Sequence, residues 1–143
     1  MSSVGDLASD MWRGRESCIF KAHDKLTSQI LQRLCLRQNQ ITRIDFPSNI
    51  AETLTELDLY DNLISHLKGL DEFQNLTSLD LSFNKIKHIK NVDHLKKLTD
   101  IYFVQNKISR IEGLEGLDKL VNLELGANRI RVRRHPEKKN HTF

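Results

Sequence analysis

The side chains of this sequence that could carry chemistry recur at a fixed distance along the chain. Asp58 and Asp80 are 22 residues apart, and the same interval separates His66 from His88. Two carboxylates on neighbouring strands could act as a general acid and a general base, and two stacked histidines could form half of a metal site. No nucleophile or oxyanion donor accompanies the aspartates, however. The sequence therefore predicts a protein that is not an enzyme.

The histidine position also argues against a metal site. Arg43 and Arg110 occupy the position that His66 and His88 hold in their own repeats. Bases that recur at one position are typical of a solvated edge. The glycines form no phosphate-binding pattern either, so we expect no metal and no cofactor.

A ladder of asparagines explains the interval and indicates a repeat architecture. Each asparagine stands in the phrase L-x-x-[LI]-x-[LF]-x-x-N-x-I, with a first gap of 23 residues and later gaps of 22. The five are Asn39, Asn62, Asn84, Asn106 and Asn128. A period of this length is typical of stacked structural units. We expect the side-chain amides to bond backbone groups of their own turn and of the next one, which would otherwise be buried without partners.

Each repeat is predicted to contain a short strand and a return segment. Leucines two apart, such as Leu79 and Leu81, alternate onto one face of a strand and point into the core. With 22 residues per coil, the return segment is too short for a long helix, so we expect extended or short 3₁₀ structure on the convex side. Pro47 stands where later repeats have an apolar residue, and one extra residue must bulge out between Phe46 and Thr53.

Three segments divide the chain. Residues 1–30 show no repeat, and a short capping helix is predicted near positions 21 to 31. Residues 31–130 hold about four and a half repeats, with 13 bases and 14 acids. Residues 131–143 form a basic tail that is too polar to bury enough surface to order itself. Such a tail is either plainly solvated or a nuclear-import or nucleic-acid patch.

The composition favours a soluble, intracellular protein. The net charge of +3 arises from the tail, because the repeat region is nearly neutral, and we expect no nucleic-acid partner. Cys18 and Cys35 form no C-x-x-C pair, which argues against a disulfide framework or a zinc site. Cys35 is interpreted as a small, half-buried strand residue. No segment has the length and hydrophobicity of a signal peptide or a membrane span, so no membrane association is expected.

Residues that flank the core leucines are predicted to share one exposed, concave face. Acids of one sign and interleaved aromatics on such a face are typical of a protein-binding surface. Stacked acids about 4.8 Å apart repel one another until a basic partner arrives. The candidate partner-binding residues are Glu56, Asp58, Tyr60, Asp80, Phe83, Asp100, Tyr102 and Glu124.

Several phrases carry a resemblance to a known family. They are LCLRQN at 34–39, ELDLYDN at 56–62, LDLSFN at 79–84, NKIS at 106–109 and LELG at 123–126. Over about residues 31–131 the chain resembles the leucine-rich-repeat regulatory subunit of protein phosphatase 1, the regulatory subunit 7 family, and in particular its N-terminal half. The resemblance implies an α/β leucine-rich-repeat solenoid with short parallel strands on its concave face.

The resemblance also implies a function. Contacts to the protein phosphatase 1 catalytic subunit would come from the central line of the concave face, at Asp80, Tyr102 and Glu124, in the nucleus and cytoplasm. The family has about twice as many repeats and a C-terminal cap, so self-association through an uncapped C-terminal end is expected here. Two alternatives stay open. One is a leucine-rich-repeat scaffold for another intracellular complex, such as a spliceosomal or axonemal one, and the other is a truncated product without stable activity.

Overall fold

Five short strands form one parallel sheet in the computed structural model, which describes residues 31–131. The strands are β1 (Arg33–Cys35), β2 (Glu56–Asp58), β3 (Ser78–Asp80), β4 (Asp100–Tyr102) and β5 (Asn122–Glu124). Each strand pairs with the one that follows it in sequence. The chain therefore coils as the solenoid of short parallel strands that the repeat predicts. The predicted capping helix, apart from Leu31, and the tail beyond residue 131 lie outside the described residues.

The strands form where apolar residues alternate with polar ones. In β2, β3 and β4 the central residue is buried and both of its neighbours are half-buried, as a side-chain period of two requires. The central residues Leu57, Leu79 and Ile101 pair in register. Each is at most 1% exposed. The core is thus a narrow apolar column between neighbouring coils, so every coil depends on the next for its burial.

The ladder asparagines join each coil to the one before it. The Asn84 side-chain amide donates to the Leu59 carbonyl at 3.0 Å and to the Leu81 carbonyl at 3.1 Å. Its Oδ1 accepts from the backbone N–H of Ile64 at 2.9 Å. The same set of contacts recurs in the coils of Asn62, Asn106 and Asn128. The predicted bond within each asparagine's own turn is therefore present.

The second predicted contact, to the next coil, is wrong in direction. Backbone bonds between coils run from the Leu59 N–H to the Asp80 carbonyl at 2.8 Å, which leaves the Leu59 carbonyl facing the following coil. Asn84 lies in that following coil and reaches back to this carbonyl. Four of the ladder asparagines consequently each satisfy a carbonyl of the preceding coil: Asn62, Asn84, Asn106 and Asn128. Asn39 bonds carbonyls of its own turn.

A left-handed backbone residue precedes every ladder asparagine. These residues have φ between 53° and 56° although none is glycine; they are Gln38, Asp61, Phe83, Gln105 and Ala127. This conformation costs a non-glycine residue about 1 kcal/mol or more, and the bonds of the adjacent asparagine offset that cost. The conformation turns the chain out of the strand and leaves the Phe83 side chain 41% exposed.

The return segments consist mainly of isolated turns. Phe73 N–H bonds to the Leu70 carbonyl at 3.1 Å, and Leu95 N–H bonds to the Val92 carbonyl at 3.0 Å. These bonds span three residues, as in a 3₁₀ turn, in agreement with the predicted extended or 3₁₀ structure.

No helix among residues 31–131 is long and apolar enough to cross a membrane.

The first return segment differs, because it holds one turn of α-helix, α1 (Ser48–Ala51). The Ala51 N–H bonds to the Pro47 carbonyl at 3.1 Å, which is a four-residue span. This turn absorbs the extra residue of the first repeat. Ile50 and Ala51 are buried, so they supply the apolar contacts that Pro47 does not.

The last two described coils leave apolar side chains open to solvent. Ile111 is 53% exposed, although Ile89 at the equivalent position is fully buried. Leu123 is 36% exposed and Val121 is 77% exposed. The outer edge of β5 carries no further strand among residues 31–131.

Replacing a ladder asparagine should destabilise the stack strongly. Asn84→Ala removes the partners of the Ile64 N–H and the Leu59 carbonyl, so the free energy of unfolding should fall by about 3 kcal/mol. Urea denaturation followed by circular dichroism measures this loss. Asn75→Ala is the matched control, because the Asn75 amide bonds the Glu52 carbonyl at 2.6 Å on the exposed side. Equal losses for the two variants would contradict the structural role of the ladder.

We propose that the exposed apolar side chains at the C-terminal end of the described stack promote self-association of the chain. Contiguous exposed apolar surface favours association, so sedimentation velocity should show oligomers that grow with concentration. Replacing the two most exposed side chains, in Ile111→Lys with Val121→Lys, should shift the population to monomer. A monodisperse monomer for the unaltered chain would be evidence against this account.

Candidate protein-binding face

The outward side chains of the strands form one continuous surface, here called the strand face. It comprises the two outward residues of each strand and the outward residue that follows them. These are Arg33, Cys35, Arg37, Glu56, Asp58, Tyr60, Ser78, Asp80, Ser82, Asp100, Tyr102, Val104, Asn122, Glu124 and Gly126. Ser82 is the buried member of this set. The surface therefore includes seven of the eight candidate partner-binding residues, and the eighth, Phe83, lies beside it in the adjoining turn.

The central line of the strand face is set by the strand register. Asp58 pairs with Asp80, Asp80 with Tyr102, and Tyr102 with Glu124. Neighbouring strands lie about 4.8 Å apart, so these side chains stand side by side along the stack. Three carboxylates and one phenol thus share one row.

Arginines neutralise the N-terminal end of this face. The Arg37 guanidinium bonds Asp58 through Nε, and its Nη2 lies 3.8 Å from an Asp80 carboxylate oxygen. Its hydrogen bond to Asp58 raises the pKa of Arg37 above the usual value. Arg33 lies 3.0 Å from the Glu56 carboxylate. The expectation of a face with charge of one sign is therefore wrong for the first two coils, because arginines of β1 and its following turn lie in register with the acids.

Asp58 and Asp80 also hold backbone groups. The Asp58 Oδ1 accepts from the Tyr60 N–H at 3.1 Å, and the Asp80 Oδ1 accepts from the Ser82 N–H at 2.9 Å. These bonds fix both carboxylates at the end of their strands. The two aspartates therefore have a structural role in addition to any role in binding.

Aromatic rings cover the side of the strand face nearest the turns. The Arg37 guanidinium lies 5.1 Å from the centre of the Tyr60 ring, within range of a cation–π interaction. The Tyr60 and Phe83 ring centres are 4.8 Å apart with the planes tilted by 44°. Arg37, Tyr60 and Phe83 consequently form a row that crosses three coils.

Within residues 31–131, no cation pairs with the acids in the C-terminal half of the face. The Asp100 carboxylate accepts from the Thr99 hydroxyl and from the Asn122 amide, and these bonds lower its pKa, the Thr99 bond contributing most. Burial raises the pKa of the Tyr102 phenol, and the charges of Asp100, Glu124 and Asp80 raise it further. Burial and the neighbouring carboxylates thus both favour the protonated form of the Tyr102 phenol.

Three features of the site were missed or misjudged in the sequence. Cys35 is exposed rather than half-buried, with its Sγ 3.8 Å from an Asp58 carboxylate oxygen. Arg37 is not among the candidate partner-binding residues, and its pairing with Asp58 was missed, although its position two residues after the strand centre places it beside Asp58. Asn122 was likewise missed as a partner of Asp100.

The histidines do not come together as metal ligands. The His66 Nδ1 lies 2.9 Å from the Ser65 hydroxyl, and the His88 Nδ1 lies 3.1 Å from a Glu112 carboxylate oxygen. Within residues 31–131, no group of three or more histidine, cysteine or acidic side chains is arranged to hold a metal ion.

Comparison with known proteins defines the class of this fold. The family model described as "Leucine rich repeat" matches residues 74–130. The internalin InlF of Listeria monocytogenes superposes with a TM-score of 0.63 and 30% sequence identity, over 74% of this chain and 32% of that chain. The internalin InlC2 of the same organism superposes with a TM-score of 0.52 and 24% identity, over 73% of this chain and 65% of that one. The chain is a leucine-rich-repeat solenoid, as predicted.

A curated relative gives a more particular likeness. The chain is 65% identical over 46 residues to "Protein phosphatase 1 regulatory subunit SDS22" of Schizosaccharomyces pombe. The match covers 32% of this chain and 13% of the yeast protein, so the chain spans a small part of that relative's length. The predicted resemblance to the phosphatase regulatory subunit is confirmed.

The acidic surroundings of Tyr102 can be tested by titration. The chain has two tyrosines, so Tyr60→Phe leaves Tyr102 as the one phenol. In that background, Asp80→Asn with Glu124→Gln should lower the Tyr102 pKa, because two of the carboxylates that disfavour phenolate become neutral. The pKa should still lie above its usual value, since burial is unchanged. Ultraviolet absorbance of the phenolate against pH measures it.

The control for this titration is Asp93→Asn with Glu115→Gln, which removes two exposed acids from the return segments. That pair should leave the Tyr102 titration where it was. If both pairs lowered the Tyr102 pKa equally, the effect would belong to net charge rather than to the strand face.

Proposed function

We propose that the chain is a non-catalytic binding protein whose strand face docks onto the catalytic subunit of protein phosphatase 1. The observation that carries the proposal is the 65% identity over 46 residues to a phosphatase 1 regulatory subunit. The leucine-rich-repeat fold supports a binding role, since such stacks build extended binding surfaces.

The chemistry of the strand face supports a basic partner. Acidic side chains line its C-terminal half, and the Glu124 carboxylate forms no ion pair or hydrogen bond among the described residues. Tyr102 adds an aromatic ring to that row, and aromatics are frequent hot spots of interfaces. A lysine or arginine of the partner would relieve the repulsion among these carboxylates.

The two ends of the face should contribute unequally to docking. Near β1, Arg33 and Arg37 already pair with the acids of β2 and β3. A partner cation gains little there, because it must displace an arginine of the chain itself. No arginine or lysine among the described residues pairs with Asp100 or Glu124, so we assign the row of Asp100, Tyr102 and Glu124 the larger share of the binding free energy.

The cellular setting follows from the same proposal. Docking would take place in the nucleus and cytoplasm and would alter the maturation or targeting of the phosphatase.

The solenoid itself would act as a passive surface, since the paired aspartates Asp58 and Asp80 hold backbone N–H groups and lack the other groups that acid–base catalysis requires.

Reversing the charge of the central line should weaken docking strongly. Asp80→Lys with Glu124→Lys places two cations against the partner's basic groups, so the affinity for the phosphatase catalytic subunit should fall by about tenfold or more. Surface plasmon resonance with immobilised catalytic subunit measures the affinity. Circular dichroism should show an unchanged spectrum.

The control variant makes the same charge change elsewhere. Asp93→Lys with Glu115→Lys alters two exposed acids of the return segments and should bind as the unaltered chain does. Undiminished binding by the strand-face variant would exclude this face as the docking surface. Failure of the unaltered chain to bind would exclude the phosphatase as its partner and favour a scaffold for another complex or a product without stable activity.

A further inference from the structure

Basic and acidic side chains of the described stack occupy different positions within each coil. The positions one, three, four and six residues after each ladder asparagine, which are exposed or half-buried, are here called the basic flank. It carries nine bases, Arg43, Lys68, Lys85, Lys87, Lys90, Lys107, Arg110, Arg129 and Arg131, and two acids, Asp45 and Glu112. The rest of residues 31–131 carries five bases and twelve acids. A stack of zero net charge is therefore divided into a flank of +7 and a remainder of −7.

The backbone holds the bases of the flank in register. The N–H groups of Lys85, Lys107 and Arg129 each donate to a carbonyl of the preceding coil at 2.8 Å. These three side chains therefore start from the same point of successive coils, which lie about 4.8 Å apart. Like charges at this spacing repel one another, and the repulsion falls when an anion binds.

The bases of the flank lie outside the ion pairs that form within residues 31–131. None of the nine forms an ion pair or a side-chain hydrogen bond among the described residues. One of the flank's two acids, Glu112, has a carboxylate oxygen 3.1 Å from the His88 Nδ1. On the strand face, by contrast, Arg33 and Arg37 are both paired. The flank is thus where the stack keeps its uncompensated positive charge.

We propose that the basic flank is a second docking surface, separate from the strand face, and that it binds an extended, acidic polypeptide segment. Lys85 and Lys87 are exposed on either side of buried Ile86, which is the alternation of an extended chain. Their side chains start about 6.6 Å apart. Acids at alternate positions of an extended partner have the same spacing, so a Glu-x-Glu segment matches this pair.

The surroundings of the bases favour polypeptide over nucleic acid. The flank positions of the described chain hold no phenylalanine, tyrosine or tryptophan on which unpaired bases could stack. Leu63, at the position of Lys85 in the preceding coil, is 36% exposed and offers an apolar contact that a polypeptide side chain can use. A shallow depression lined in part by Arg43, His66 and Lys68 lies at the N-terminal end of the flank.

The test measures binding of a fluorescent peptide of alternating glutamate and serine to the full chain by polarisation. Lys85→Gln, Lys107→Gln and Arg129→Gln together should weaken binding by about tenfold, because three charges facing the peptide are lost. The matched control, Lys96→Gln with Lys97→Gln and Lys119→Gln, removes three bases from the return segments and should change the affinity less than about twofold. Both variants keep residues 132–143, so any binding by the tail is common to them.

Two further probes decide the class of partner: an oligothymidylate, and vesicles of phosphatidylserine with phosphatidylcholine. Selective loss of peptide binding in the flank variant supports the proposal. The proposal is overturned if the unaltered chain does not bind the peptide, or if both triple variants lose binding equally. Tighter binding of the oligothymidylate or of the vesicles than of the peptide also overturns it. Since the phosphatase is absent from this experiment, its result is independent of the function proposed for the strand face.

Discussion

The rest of this structure depends on the bond that four ladder asparagines, from Asn62 onward, make to the backbone of the coil before them. Where the strand of the second coil turns into the return segment, the Leu59 carbonyl and the Ile64 N–H have no backbone partner among the described residues. The Asn84 amide resolves this for two coils at once, because it bonds carbonyls of both and accepts an N–H of the earlier one. With that contact repeated at each step, successive coils have one permitted register, and the left-handed residue before each asparagine becomes tolerable.

Register is in turn what gives the surface its properties. A slip of one residue would exchange buried and exposed side chains along a strand, so the fixed register decides that Asp80, Tyr102 and Glu124 form a row. The same constraint aligns Lys85, Lys107 and Arg129 on the flank. A narrow repeat core therefore produces two long surfaces of opposite charge, and both follow from one side-chain amide per coil.

Much of this arrangement could be predicted because the repeat period acts on every residue alike. Once the asparagines fixed the period, the row of Asp58, Asp80 and Tyr102 followed from a strand period of two. What could not be predicted depends on geometry that the period does not contain. The pairing of Arg37 with Asp58 requires a side chain to lean across a strand, and α1 depends on how an extra residue beside Pro47 is accommodated.

The correction at Arg37 changes how the strand face should be understood. Sequence alone suggested a uniform acidic surface, but the structure divides it into a compensated half near β1 and an open half near β4 and β5. The half that the chain's own arginines occupy is stabilised in the absence of a partner. The open half keeps its electrostatic repulsion, which a basic partner would relieve, and the proposed function therefore rests on that half.

Site-specific photocrosslinking to the phosphatase catalytic subunit tests this central claim most directly. A photoreactive phenylalanine analogue in place of Tyr102 should crosslink to the catalytic subunit, because that position lies at the centre of the open half of the strand face. The same analogue in place of exposed Lys96, on a return segment, should not. Crosslinking from position 96 without crosslinking from position 102 would contradict the account.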